Sequence, residues 1–204
     1  MQLNNTVTLV GKIASRTQYD HEVRGERFYK LFLDVERTSG EIDKLPLLVS
    51  ERIFDASQDY ESEYVVVKGA YRSFNRSENQ KRHLVLYVFV EEMVFVEIDL
   101  PDIPNNEIYL KGVLCKDPIH RKTSGGTKIS DVLLQVLRET TGKKDYIPCV
   151  LWDRNAEYAR RSLSKGMRVE LWGRIQRRLY PKKTEAGIQY RIAYEVSVSN
   201  INMV

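Results

Sequence analysis

The sequence has few of the residues from which catalytic and metal sites are most often built. It holds only 2 cysteines and 3 histidines in 204 residues. Cys115 and Cys149 each lie in an apolar alternating run, which is typical of buried, reduced thiols rather than of a disulfide or a reactive site. His21, His83 and His120 fall in separate segments, with no Cys or His nearby at metal-ligand spacing. We therefore expect no metal site.

Sequence patterns for phosphate loops, nucleophiles and membrane spans are also missing. No glycine-rich loop leads from a strand into a helix, no nucleophile elbow is present, and no acid and base can be paired from the sequence alone. We therefore expect a non-enzyme that needs no cofactor. No run of about 18 apolar residues could span a membrane, and Met1 is not followed by the regions of a signal peptide. We expect a cytoplasmic protein without a membrane partner.

Charge is divided unevenly along the chain. The net charge of +4 combines −4 for residues 1–100, which hold 13 Lys and Arg against 17 Asp and Glu, with +8 for residues 101–204, which hold 19 against 11. The basic half favours a polyanion such as nucleic acid as the partner, because phosphate contacts are electrostatic and independent of base sequence. The charge alone also fits a basic surface that is merely solvated.

The two halves of the chain repeat one pattern. NNTVTLVGKI at residues 4–13 matches NNEIYLKGVL at residues 105–114, and VVVKGAYR at 65–72 matches VELWGRIQ at 169–176. In the last segment Gly173 suits a bend or bulge. We interpret the repeat as two domains, residues 1–98 and 105–204, joined by a linker at residues 99–104 that is rich in proline and acid.

Each copy predicts a small, mostly antiparallel β-structure. In the second copy, DYIPCVLW alternates as a strand, NAEYARRSLSKG has helical spacing, and VELWGRIQRRLY alternates again. With the flanking strands, each copy reads as three strands, a short helix and two further strands. That order is typical of the OB-fold, a five-stranded barrel that binds single-stranded nucleic acid or oligosaccharide, although a β-sandwich also fits. We therefore predict an all-β chain of two tandem OB-fold barrels, each with a short helix between strands 3 and 4.

Two segments of the second copy are expected as loops that carry basic residues. KDPIHRKTSGG at residues 116–126 would lie between the first two strands, and YPKKTEAG at 180–187 between the last two. A groove that follows a phosphate backbone needs Lys and Arg along its walls and flat rings on which bases stack, and Tyr146, Trp152 and Tyr180 could supply the rings. Ordinary core packing is the alternative explanation for these aromatics.

Most of the second copy resembles the bacterial single-stranded-DNA-binding protein family. The resemblance is carried by DYIPCVLW, NAEYARRSLSKG, VELWGRIQRRLY and an opening strand, EIYLKGVLCKDP, that ends in a basic residue and Asp-Pro. It implies an OB-fold, single-stranded DNA as the ligand, and a unit of four barrels, which a homodimer of this chain would supply. The family's acidic C-terminal tail has no match at residues 202–204, so the resemblance does not extend to partner recruitment.

The resemblance also implies which residues meet the DNA. The family's stacking aromatics correspond to Tyr146, Trp152 and Tyr180. The residues that it places at the DNA backbone are Lys116, Arg121, Lys122, Arg138, Arg174, Arg177 and Arg178. Trp172 departs from the family pattern, since members rarely place so large an apolar ring there. We expect it to pack at an interface with the first copy or with a second subunit.

The first copy matches this pattern only loosely. Lys44 and Ser50 stand where the third strand should carry its stacking aromatics. A different platform would consist of Tyr71, Phe74, Tyr87, Arg72 and Arg76. Core packing or a subunit interface explains the same residues as well. We expect the first copy to have a structural or oligomerising role.

Three functions are compatible with these patterns. The leading hypothesis is sequence-independent binding of single-stranded DNA, mainly by the second barrel, in replication, recombination or mobile-element transfer. The alternative is an accessory module for protein interaction in a replication or conjugation complex, with weak DNA binding. The altered first copy motivates this alternative. An enzyme subunit, such as a strand-annealing factor, is a third hypothesis that no catalytic residue supports.

Overall fold

The computed structural model describes residues 4–78, 81–97, 104–184 and 187–204, which form twelve strands and one helix. The elements of the first copy are β1 (Asn5–Ile13), β2 (Gln18–Val23), β3 (Glu26–Glu36), β4 (Ile42–Ser50), β5 (Tyr64–Glu78) and β6 (Lys81–Phe95). The elements of the second copy are β7 (Asn106–Leu114), β8 (Ile119–Lys122), β9 (Lys128–Leu137), β10 (Lys144–Trp152), α1 (Asp153–Ser162), β11 (Arg168–Thr184) and β12 (Gly187–Met203).

Each copy closes into a barrel. In the first, β1 pairs with β5 and with the end of β3, β3 pairs with β4, β4 pairs with β6 in parallel, and β6 returns to β5. The second copy repeats this circuit with β7, β9, β10, β12 and β11. The short strands β2 and β8 extend β3 and β9 as hairpins. The prediction of two tandem OB-fold barrels is confirmed, with one short strand added to each.

The prediction of a helix in both copies is wrong for the first. In the second barrel α1 buries two alanines against the core, whereas residues 51–63 of the first barrel form turns. There Asp55 accepts a hydrogen bond from the backbone N–H of Ser57 at 3.0 Å. Such local side-chain bonds compete with helical hydrogen bonds. Phe54 packs into the barrel core from this turn segment instead.

The two segments expected as loops are partly strand. β8 lies within residues 116–126, and β11 runs through the start of residues 180–187 as far as Thr184. Among the described residues, the last part of β11 pairs only with β12, which creates a two-stranded extension that we call the β11–β12 ribbon. The linker expected at residues 99–104 lies outside the described residues except for Pro104.

A bulge occurs at Gly173, as the sequence predicts. The register of β11 against β12 shifts between Trp172 and Gly173. A Cβ on Gly173 would lie 2.2 Å from the carbonyl oxygen of Ser197, closer than any side chain tolerates. The first copy repeats both features at Gly69. The bulge bends the long strand so that one half closes the barrel and the other half forms the ribbon.

The barrels join through their first strands. β1 and β7 pair antiparallel with Val7 opposite Ile108 at the centre. These two residues are equivalent in the repeat, so an approximate twofold axis relates the copies through this pair. The pairing merges both barrels into one sheet in the order β6-β5-β1-β7-β11-β12.

The repeated Asn-Asn pairs explain part of this junction. Asn4 donates from its side chain to the carbonyl oxygen of Leu137 at 2.7 Å, and Asn105 donates to the carbonyl oxygen of Glu36 at 2.5 Å. Each bond joins one barrel to the other. The second asparagine of each pair binds the N–H and C=O of one residue on β5 or β11 at 2.8 Å. The motif therefore recurs because both copies need the same bridge.

A repeated aspartate forms the other contact between the barrels. Asp145 is buried and accepts hydrogen bonds from the guanidinium of Arg138 at 2.8 and 2.6 Å, and from the backbone N–H of Ser73 in the first barrel at 2.7 Å. Asp43 occupies the equivalent position. It accepts from an arginine of its own barrel at 2.7 Å and from the N–H of Arg177 in the second barrel at 2.7 Å. Each aspartate thus ties its own strand to a strand of the other copy: Asp145 ties β10 to β5, and Asp43 ties β4 to β11.

Candidate nucleic-acid interface

Strand β10 directs two predicted stacking residues to the outside of the second barrel. Ile147, Cys149 and Leu151 are buried in the core, so strand alternation turns Tyr146 and Trp152 outwards. Both residues are half-buried. Six residues of extended strand separate their Cα atoms by roughly 20 Å. The two rings therefore suit different bases of one strand.

Trp152 is held by the neighbouring strand. Its indole Nε1–H donates to Ser197 Oγ on β12 at 3.0 Å, the partner that a half-buried indole needs. β10 and β12 pair in parallel here, with Val150 opposite Ser197. The hydrogen bond fixes the ring plane, so the exposed part of the ring keeps a set orientation at the surface.

The β11–β12 ribbon brings three further predicted residues to this side. Arg174 lies directly opposite Ser197, and because strand alternation has a period of two, Arg178 and Tyr180 face the same way. The guanidinium of Arg178 lies 5.6 Å from the centroid of the Tyr180 ring, which is a cation–π contact. Trp152, Arg174, Arg178 and Tyr180 share one surface, which we call the Trp152 face.

The β8–β9 hairpin lies beside the Trp152 face. The hydrogen bond to its carboxylate partner raises the pKa of Arg178, whereas the like charge of Arg121 lowers it, so Arg121 is close to the ribbon. Arg121 itself donates to Asp131 at 2.6 and 3.0 Å. Lys116 and Lys122 are exposed. The hairpin therefore adds Arg121 and Lys122 along one edge, and Lys116 lies in the segment that leads into it.

Two carboxylates in this surface are not evident from the sequence. Asp131 holds Arg121, and the buried Glu195 accepts from Arg178 at 2.8 and 3.0 Å and from the side-chain amide of Gln176 at 2.9 Å. Arg121 and Arg178, both predicted to contact phosphate, are thus already paired with carboxylates. The one sequence cue is that Glu195 occupies an outward position of β12 beside the basic stretch of β11.

Arg174 is the least neutralised of the arginines on the Trp152 face. Its guanidinium comes no closer than 3.5 Å to Asp43 and is 39% exposed. Burial and the like charge of Arg37 lower the pKa of Arg174. An added anion would oppose the like charge of Arg37, because Asp43 pairs more closely with Arg37, at 2.7 Å, than with Arg174.

Arg138 and Arg177, which were predicted to contact the DNA backbone, lie instead at the junction between the barrels. The Arg138 side chain is 16% exposed, binds Asp145, and donates to the carbonyl oxygen of Ser73 at 3.1 Å. Arg177 lies opposite Tyr194, which places it on the other side of the ribbon from the Trp152 face. Neither guanidinium is available to a strand bound on that face. The reason is long-range packing, since Arg138 and its carbonyl partner are 65 residues apart.

Trp172 lies where the two barrels share their sheet. Its ring packs on Tyr109 with the ring centroids 5.2 Å apart, and it is 36% exposed. A cavity of about 310 Å³ beside the two rings is also lined by Thr6 and Thr8 of the first barrel. The indole thus lies near the seam but is not covered by the first copy, and its role at an interface stays a prediction.

The first barrel does not carry the aromatics of the Trp152 face. The ammonium of Lys44 lies 3.4 Å from the carbonyl oxygen of Ala14, and Ser50 donates to a carboxylate oxygen of Glu26 at 2.5 Å. Both residues are engaged in local hydrogen bonds. Strand β4 therefore offers no stacking ring at either position.

The alternative platform of the first barrel is only partly assembled. Tyr71 is fully buried in the core, so it does not belong to the platform. Phe74 and Tyr87 do pack together on the outer side, with ring centroids 6.1 Å apart. Arg72 donates to Asp145 of the second barrel at 3.2 Å, so it belongs to the contact between the barrels and not to the platform. Arg76 lines the same pocket as Phe74 and Tyr87.

The described residues also bear on the absences noted in the sequence. In the described ranges no three His, Cys, Asp or Glu side chains converge as metal ligands would. Cys115 and Cys149 are both free thiols, and burial raises the pKa of each. The single helix found among the described residues is too short and too polar to span a membrane.

Solved structures with this fold match nearly the whole chain. The wild-type single-stranded DNA binding protein from Thermus aquaticus has a TM-score of 0.69 and 21% identity, and the match covers 98% of this chain and 92% of that one. A deletion mutant of the same protein gives a TM-score of 0.71 at 20% identity, with 98% and 94% covered. At this identity the similarity establishes the two-barrel fold alone.

Sequence relatives match the second barrel. Single-stranded DNA-binding protein B of Bacillus subtilis is 38% identical over 88 residues, which are 41% of this chain and 76% of the relative. The single-stranded DNA-binding protein of Lactiplantibacillus plantarum is 33% identical over 104 residues, which cover only 50% of its length. The model of the single-strand binding protein family matches residues 105–204. The chain therefore belongs to the single-strand binding protein family.

Proposed function

We propose that the chain binds single-stranded DNA without strong sequence preference, mainly through the Trp152 face. The observation that carries this proposal is the convergence of two fixed aromatic rings, Trp152 and Tyr180, with Arg174 and Arg178 on one outer surface of the second barrel. Bases stack on such rings, and the phosphates between them meet the guanidiniums. The names of the relatives point to the same ligand.

The arrangement favours binding that is independent of sequence. Stacking accepts every base because every base has a π face. Arg174 and Lys122 offer charge to phosphates rather than hydrogen-bond patterns to base edges. Arg121 and Arg178 are already neutralised by carboxylates. We therefore assign most of the salt-dependent affinity to Arg174, Lys116 and Lys122.

Titration with oligo-dT tests this function. The chain has 2 tryptophans, so a Trp172→Phe variant leaves Trp152 as the sole indole and isolates its signal. We expect quenching of Trp152 fluorescence on binding, and an affinity that falls as salt rises, with a log-log slope of about −0.7 per phosphate neutralised. Lack of quenching and of binding at low salt would contradict the proposal. A double-stranded competitor that displaces the oligonucleotide equally well would contradict it too.

The functional unit is proposed to be a homodimer with four barrels. Trp172 and Tyr109 form a partly exposed aromatic pair on the shared sheet, and a second copy would cover them. Lys68 holds the position of Trp172 in the first copy, so Trp172→Lys copies a residue that this sheet already accepts. Sedimentation should then give a monomer, against a dimer for the unaltered chain. An unchanged dimer would remove Trp172 from the interface.

The process in which the protein acts is inferred from its ligand. A protein that coats single strands is useful wherever duplex DNA is opened, which includes replication, recombination and mobile-element transfer. We place it in the cytoplasm with the DNA and assign it no reaction of its own. Partners from replication or conjugation complexes belong to the same proposal, and co-purification from cells with active replication tests them.

A protein-interaction module is the second candidate. The observation in its favour is that Glu195 neutralises Arg178 on the Trp152 face and Asp131 neutralises Arg121 beside it. If that neutralisation dominates, DNA binding is weak even at low salt. Asp131→Asn separates the two functions, because a DNA-binding face gains affinity when the charge of Arg121 is released. A face that serves a protein partner shows no such gain.

A further inference from the structure

The outer side of the first barrel carries an aromatic cluster that the Trp152 face does not use. Phe28, Leu48 and Tyr87 pack together apart from the barrel core, and Phe74 and Phe89 pack against them. β4 pairs with β3 and β6 as β10 pairs with β9 and β12. The cluster therefore occupies the place in the first barrel that the Trp152 face occupies in the second.

A pocket of about 290 Å³ opens in this cluster. Leu48, Phe74 and Tyr87 form its apolar part. Asp20 on β2 and Arg76 on β5 stand at its polar side and are joined by an ion pair. Small-ligand pockets combine an apolar lining with a few placed polar groups in this way, and the volume is at the lower end of their range.

The charges beside the pocket suit a nucleotide. The Asp20 carboxylate is nearly buried and holds the ammonium of Lys30 at 2.5 Å. That ammonium lies 5.6 Å from the centroid of the Tyr87 ring. The Arg76 side chain is 46% exposed. A phosphate can replace one carboxylate contact of Arg76, because guanidinium binds phosphate and carboxylate with the same fork of donors.

The pocket is also continuous with the proposed DNA path. The backbone N–H of Tyr146 donates to Ser73 Oγ at 2.8 Å, and Ser73 precedes Phe74. The guanidinium of Arg138 lies 5.2 Å from the centroid of the Phe74 ring. A strand that follows β10 from Trp152 to Tyr146 therefore arrives at Phe74.

We propose that the first barrel holds a second base-binding site, in which one base of single-stranded DNA stacks on Phe74, beside the largely buried ring of Tyr87, while Arg76 binds the adjoining phosphate. The repeat places Phe74 and Arg76 at the positions of Arg178 and Tyr180 on the Trp152 face, so the aromatic ring and the guanidinium exchange places between the two barrels. It rests on the proposed function, since the same strand occupies both barrels. It also gives the first barrel a direct part in binding, beyond the structural role that its sequence suggests.

Binding of a short and a long oligo-dT tests this site. An oligonucleotide of about 8 residues fits one barrel, and one of about 32 residues spans both. We expect Phe74→Leu, and separately Arg76→Gln, to weaken binding of the long oligonucleotide by about fivefold or more while leaving the short one unchanged. Phe95→Leu is the matched control, because it removes an aromatic ring from the same barrel outside the pocket. Equal affinities for Phe74→Leu, Arg76→Gln and the control would overturn the site.

Photo-crosslinking of the unaltered chain gives a readout that does not depend on variant folding. With 5-iodouracil placed along the long oligonucleotide, we expect crosslinked peptides that contain Phe74 or Tyr87 as well as peptides from the second barrel. Crosslinks confined to residues 105–204 would overturn the second site and leave the proposed function intact. Absence of binding by either oligonucleotide would overturn both.

Discussion

Asp145→Asn should destabilise the whole chain more than any ordinary surface substitution. The Asp145 side chain is 0% exposed, and it neutralises Arg138 at 16% and Arg72 at 18% exposure. The amide keeps an oxygen for the Ser73 N–H, but its NH₂ group faces guanidinium donors. Breaking a buried pair in this way costs about 3–5 kcal/mol. At roughly 2–4 °C per kcal/mol for a chain of this size, Tm should fall by about 6–20 °C.

Urea unfolding of matched variants tests the reasoning. Asp43→Asn removes the equivalent carboxylate, which pairs with Arg37 at 2.7 Å but with the more exposed Arg174 only at 3.5 Å, so we expect a smaller loss. The double variant with Asp145→Asn and Arg138→Met should lose less free energy of unfolding than the sum of the two single variants, because no unpaired charge is then left at position 138. A loss within about 0.5 kcal/mol for Asp145→Asn, typical of surface positions, would refute the claim that this carboxylate holds the barrels together.

Three further results are expected. Arg174→Ala should weaken binding of all oligonucleotide sequences alike and reduce the log-log salt slope by about 0.7, which titration at several salt concentrations measures. Burial raises the pKa of Asp20, but hydrogen bonds from Lys30 and other cations lower it to about 2. Because the pKa of Asp20 is lower in the folded chain than in the unfolded chain, the ionised carboxylate stabilises the fold by about 2 kcal/mol. This stabilisation is complete at pH values above the pKa of the unfolded chain and is lost as pH falls towards 2. Acid unfolding of Asp20→Asn should therefore lack this loss of stability. Gly69→Ala should cost about 1–3 kcal/mol in urea unfolding, because its Cβ would lie 2.0 Å from a carbonyl oxygen on β6, whereas Gly125→Ala, with 3.9 Å of room, is the neutral control.

The local patterns of the second copy predict its strands and its bulge. Alternation along residues 145–152 correctly separates Ile147 and Leu151, which are buried, from Trp152, which turns outwards. Gly173 marks the bulge because only a residue without Cβ fits against β12 there. Such features depend on neighbours in the chain or on one adjacent strand. Sequence therefore carries enough information to place them.

Contacts over long sequence separations could not be predicted in this way. Arg138 looks like a cation on the binding side, yet Asp145 and Ser73 draw it into the junction. The turns that replace a helix in the first copy depend on side-chain bonds such as that from Ser57 to Asp55. These outcomes are decided by which partners the folded chain supplies, and the local pattern contains no record of those partners.

The acidic residues of the Trp152 face illustrate the same limit. Asp131 and Glu195 stand in ordinary alternating strands, and only the pairing of β12 with β11 and the hairpin of β8 with β9 bring them to Arg178 and Arg121. A count of basic residues in the second copy consequently overstates the free positive charge of its surface.

Oligo-dT binding by a chain that lacks the three predicted stacking rings of the second barrel tests the central claim most directly. The variant carries Tyr146→Leu, Trp152→Leu and Tyr180→Leu, and it is compared with the unaltered chain at about 50 and 200 mM salt. Each ring that stacks a base contributes about 1–3 kcal/mol, so we expect affinity to fall by more than a hundredfold at both salt concentrations while the folded state is retained. Unchanged affinity in a folded variant would contradict the assignment of the Trp152 face as the DNA-binding surface.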